Sequence, residues 1–134
     1  MGFFMSGAQM NSQKDGPRTS SDLRQLRQRT GLALPADAQL VYFHYESQRD
    51  ELIQAKMVTT PAALERFLSE NHLSRQDFSP ANQGFLGVDS GGWDPQGNSP
   101  LAVAALPREN GRFLYIGFRN AGPKVELYIV WMTT

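Results

Sequence analysis

Cysteine is absent from this 134-residue sequence, so disulfides, thiolate metal sites and cysteine nucleophiles are outside its chemistry. Neither sign of charge predominates. Thirteen Lys and Arg balance 13 Asp and Glu, which leaves no field to gather a polyanion, and no nucleic-acid role is expected. No apolar run approaches the roughly 18 residues of a helical membrane span. Histidine is scarce: His44 and His72 are the two present, and no Gly-x-Ser-x-Gly, glycine-rich phosphate loop or His-Glu-x-x-His pattern accompanies them. His44 lies between aromatic residues and reads as a packed or rim histidine without an evident partner. His72 follows a helix end, where a structural role is expected.

What the chain does contain is β-sheet. The stretch 101–132 reads as three consecutive strands, rich in aromatic and β-branched residues and separated by Asn110-Gly111 and by Asn120-Ala121-Gly122-Pro123. In the last of them Val125, Leu127, Ile129 and Trp131 share one face and should meet a core; Glu126 and Tyr128 share the other and should meet mostly water. Two further strands are expected over 39–46 and 52–59, joined by the polar turn Ser47-Gln48-Arg49-Asp50.

Helix signals are fewer. Thr60 as N-cap and Pro61 at the first helical position open a helix over 61–71, whose Ala63, Leu64, Phe67 and Leu68 form the stripe that would lie on a sheet. Ser20 or Ser21 caps a shorter one over 22–29, ended by Thr30-Gly31, with Arg24, Arg27 and Arg29 as a solvated face or a patch for an acidic partner. Ser74 suits a further single turn, flanked by Leu73 and Phe78. The resulting fold class is α+β, two-layer: an antiparallel sheet of about five strands with one main helix packed on one face, in a single domain over 20–134.

The stretch 1–19 reads as a disordered tether or signal remnant. Within it Met5-Ser6-Gly7-Ala8 resembles the lipobox of bacterial lipoproteins, in which a bulky apolar residue and two small ones precede the cysteine that is acylated. Ala8 stands at that cysteine's place, so this chain carries no acylation site there. The resemblance implies a periplasmic protein on a lipid anchor; a cytoplasmic location is the alternative.

The region 79–100 carries Pro, Gly, Ser and Asn throughout and is too long for a passive connection. A short strand is expected at Phe85-Leu86-Gly87-Val88. Trp93, beside Gly91-Gly92, either folds back onto the core or projects as an anchor for a partner. Asp89, Asp94 and Asn98 offer oxygen ligands without the spacing of an EF-hand loop, so no metal or other cofactor is expected. The contact surface expected for a protein partner consists of Trp93, Asp89 and Asp94 at one end of the sheet, with Tyr115 and Tyr128 on its open face. On this reading the protein is a non-enzymatic binding protein of the bacterial cell envelope, such as an immunity-type lipoprotein that neutralises a toxin in the periplasm. The alternative is a small hydrolase or ligand-binding domain, with calcium as one ligand, whose site lies in the 79–100 loop.

Overall fold

The computed structural model describes residues 12–15, 20–97 and 100–133, the first of these segments by its backbone alone. The elements in chain order are β1 (Ser12–Asp15), α1 (Ser20–Thr30), β2 (Gln39–Ser47), β3 (Glu51–Thr59) and α2 (Pro61–Glu70), then 3-10 segments at Arg75–Asp77 and Pro80–Leu86, then β4 (Ala102–Arg108), β5 (Arg112–Ala121) and β6 (Lys124–Thr133). One antiparallel sheet runs in the order β1-β2-β3-β6-β5-β4. The five expected strands are therefore β2 to β6, and the fold is α+β. Ser12–Asp15, in the stretch read as a tether, adds a sixth strand at the edge of β2. Met5-Ser6-Gly7-Ala8 and Asn98 lie outside the described residues.

Local chemistry accounts for the element ends. Thr60 Oγ1 accepts from the Ala63 N–H at 3.1 Å and Pro61 needs no partner at the first helical position, so α2 starts where its sequence signals place it. Its exit is a Schellman-type turn: His72 takes φ 58°, and the Leu73 N–H donates to the Leu68 carbonyl at 2.8 Å. The Asn71 side chain adds bonds to the Phe67 and Ala33 carbonyls, tying the 31–35 connection to the helix. Asn110 and Gly111 both adopt positive φ, at 60° and 71°, between β4 and β5, as the sequence requires of a tight reversal.

Both helices lie on one face. Leu26 of α1 and Leu64, Phe67 and Leu68 of α2 bury against Phe43, Ala55, Met57, Leu114, Ile116, Leu127, Ile129 and Trp131. β2 reaches this face in spite of its poor alternation because its register slips at Val41, between Leu40 and Tyr42. Leu40 and Phe43 consequently both point into the core, whereas Tyr42, His44 and Glu46 share the opposite face.

That opposite face departs from the expectation that it would meet mostly water. A second apolar cluster forms there from Leu86, Trp93, Leu101, Val103, Tyr128 and Val130. Residues 79–97 supply its cover. The expected strand at 85–88 is absent, because Ser79 caps a 3-10 segment opened by Pro80 and ended at Gly87, whose φ is 84°. Gly117 of β5 lets this segment come close, since a Cβ there would lie 2.9 Å from Leu86 Cδ1.

Candidate functional site

Trp93 is the pin that holds 79–97 on the sheet. It is 1% exposed, donates from Nε1 to the Leu86 carbonyl at 2.8 Å, and packs its ring against Tyr42 and edge-on against Tyr128, with centroids 5.7 and 5.4 Å away. Ser90 and Trp93 exchange both backbone hydrogen bonds across Gly91-Gly92, and a Cβ on Gly92 would lie 2.8 Å from the Tyr42 ring. Of the two roles open to Trp93 from sequence, the structure gives it the one in the core. Tyr128 is fully buried beside it. Neither can meet a partner in the folded chain, which removes them from the expected contact surface.

The carboxylates beside Trp93 are engaged as well. Asp94 accepts from Lys56 Nζ at 3.0 and 3.2 Å and from the Tyr128 hydroxyl at 2.8 Å. Glu126 takes the other side of Lys56 at 3.3 Å and accepts from Arg119 Nε at 2.8 Å. The Arg119 guanidinium also donates to the Tyr128 hydroxyl and to the Asp94 and Pro95 carbonyls. Gly97 leaves room for it, because a Cβ there would fall 2.6 Å from a guanidinium nitrogen. Two cations thus meet two anions around one phenol. Burial alone would push the Asp94 carboxyl up, but the Lys56 and Tyr128 hydrogen bonds and the Lys56 and Arg119 charges outweigh it and hold the group below its ordinary value. Glu126 is lowered in the same way, against its own burial, by Arg119 and Lys56. Burial, reinforced by the bond to Asp94, pushes the Tyr128 phenol well above its ordinary value. Charge-balanced and closed, this network fastens residues 94–97 to β3, β5 and β6. Asp89 has a separate local duty, accepting from the Gln96 N–H at 2.8 Å. Among the described residues no three His, Asp or Glu side chains gather as a metal site.

Two features remain open to solvent on this face. The first is a cleft of about 500 Å³ lined by Tyr42, His44, Glu46, Gln54 and the 88–93 turn. In it His44 has the partner that the sequence did not suggest: Nε2 lies 2.7 Å from Glu46 Oε2, two residues along the same strand and on the same face. The second is a run of parallel rings. Phe85 stacks on Tyr115 at 4.8 Å and 5°, and Tyr115 lies parallel to Phe113 at 6.4 Å and 3°.

Comparison with protein-family models, with curated proteins and with solved structures returns no match.

Of the sequence-derived contact residues, Asp89 is exposed, the Asp94 side chain is 44% exposed, and Tyr115 also keeps an accessible position. It is half-buried in the middle of the ring run, next to Phe85 at 49% exposure and near Val88 at 73%, the two large apolar residues that stand out from the described surface. Register adds Met132 and Leu52, which lie beside Phe113 across β6 and β3. Phe113 could have been found from sequence, since alternation in β5 places Phe113 and Tyr115 on one face. Phe85 could not, because nothing local foretells that a 3-10 segment sets it over β5.

Proposed function

We propose that this chain is a protein-binding module, and that it binds through the ring run that Phe85 forms with Tyr115 and Phe113 of β5. One observation carries the reading: Phe85, Tyr115 and Phe113 form a run of parallel rings at the surface, with Phe85 49% exposed. Exposed rings gathered on a rigid sheet bring large contact area with little side-chain entropy to lose, which is why aromatics are enriched among residues that dominate binding energy. The patch is apolar where monomer surfaces are usually mixed, and such patches mark interaction sites. Placement in the bacterial envelope and a toxin-neutralising role draw support from the lipobox-like Met5-Ser6-Gly7-Ala8.

The test is capture of partners from the envelope fraction of the parent cell, with wild type, Phe85→Ser and Phe113→Ser as baits. Recovery of one partner by wild type and its loss with both variants, each melting at the wild-type temperature, supports the patch. Equal recovery by all three baits would end the proposal.

A further inference from the structure

We infer that the cleft beside the ring run is a cation subsite that accepts a lysine or arginine side chain of the bound protein; this occupant rests on the protein-binding reading above. The argument begins with charge. Among the described residues Glu46 is the one of fixed charge lining the cleft, and its side chain is about half exposed. His44, by contrast, is 12% exposed and holds Glu46 Oε2 at 2.7 Å, which fixes the carboxylate's direction and leaves Oε1 for another donor.

Among the described residues no Lys or Arg side chain pairs with the Glu46 carboxylate. Lys56 and Arg119, the cations on this face, are taken up by Asp94 and Glu126, and Arg49 on the neighbouring turn makes no ion pair with Glu46. The walls suit a cation too. Tyr42 lines the cleft with a partly accessible ring, and aromatic faces attract ammonium and guanidinium groups through their quadrupole. Gln54 and Ser90 add polar groups near the carboxylate. The volume, about 500 Å³, accommodates a long basic side chain with its aliphatic stem. Leu52 lines the cleft and also lies beside Met132 at the margin of the ring run, so one partner surface can cover both.

Three capped tripeptides serve as probes: Ac-Ala-Arg-Ala-amide, Ac-Ala-Lys-Ala-amide and, as the neutral comparison, Ac-Ala-Gln-Ala-amide. Each is titrated into the full ¹⁵N-labelled chain while backbone resonances are followed. Saturable shifts at His44, Gly91, Gly92 and Trp93 are expected for the two basic peptides, with Kd on the order of millimolar, and none for the neutral one. Glu46→Gln should weaken the basic peptides about tenfold, the loss of one charge-assisted bond, without moving the melting temperature. Shifts of equal size from the glutamine peptide, or binding unchanged in Glu46→Gln, would overturn the subsite. Phe85→Ser lies outside the cleft and should leave tripeptide binding intact. Failure of the tripeptides together with loss of partner capture in Phe85→Ser would therefore overturn the subsite alone. Tripeptide binding together with undiminished capture by Phe85→Ser would overturn the patch and leave the subsite standing.

Discussion

At position 72 the backbone asks for a glycine and the sequence supplies histidine. His72 sits in the left-handed region with φ 58°, at the turn that closes α2, and its side chain is exposed. A side chain there costs roughly 1–2 kcal/mol, of which glycine's greater freedom in the unfolded chain takes back about half. His72→Gly should therefore raise stability by roughly 0.5–1 kcal/mol, seen as a higher urea midpoint with unchanged slope. Thr59 offers a second gain. It is buried, and its hydroxyl has no hydrogen-bond partner among the described residues. Thr59→Val keeps the shape and removes the stranded group, with an expected gain of about 1 kcal/mol in the same titration. Neither position stands out in the sequence. The histidine's role as a chain-reversing residue depends on a φ angle, and the hydroxyl's isolation depends on neighbours brought in by β6.

Helix α2 and the 79–97 segment cover opposite faces of one sheet, and they differ in how openly the sequence announces them. A cap, a proline and a stripe at helical spacing define α2, because a helix makes its hydrogen bonds locally and repeats. Phe67, wholly buried beneath it, should cost about 3–4 kcal/mol as Phe67→Ala, measured by denaturant unfolding. The 79–97 segment has no period to read. It is held by single bonds between distant partners: Trp93 to Leu86, Gln83 to Pro95, Gln96 to Asp89, Asn82 to Val103. Its place over the sheet emerges only once Lys56, Arg119 and Tyr128, from three strands, converge on Asp94. The same reason hid the cleft: Tyr42, His44 and Glu46 share a face by simple alternation, but the 88–93 turn that walls them in has no period to read. Trp93→Ala should cost about 3–5 kcal/mol and raise amide exchange throughout 80–97, with the α2 amides keeping their wild-type protection relative to global unfolding.

For the molecule as a whole, the Asp94, Glu126 and Tyr128 network sets both ends of the pH range. Asp94 and Glu126 titrate below their ordinary values of 3.8 and 4.5, so the unfolded chain binds protons first. Their contribution is complete above those values and is lost as pH falls through the lower, folded ones. Tyr128 works in the opposite sense. Its folded value is raised above 10.0, so its contribution is present below pH 10.0 and is lost as pH rises through the folded value. Melting temperature followed against pH should fall at both extremes, and Tyr128→Phe should flatten the alkaline fall. Strand order has a consequence of a different kind, in time. The hairpin of β2 and β3 and the meander of β4 to β6 each close over short turns, but they meet only through β3 and β6, whose pairing must wait for residues 60–123 to be gathered into one loop. Closing a loop of that size is slow relative to hairpin formation, and the central seam of the finished sheet should be the last part of it to form. In pulse-labelled refolding, amides that bridge β4 to β5 and β5 to β6 should gain protection before those that bridge β3 to β6, so that the central join of the native sheet is its youngest.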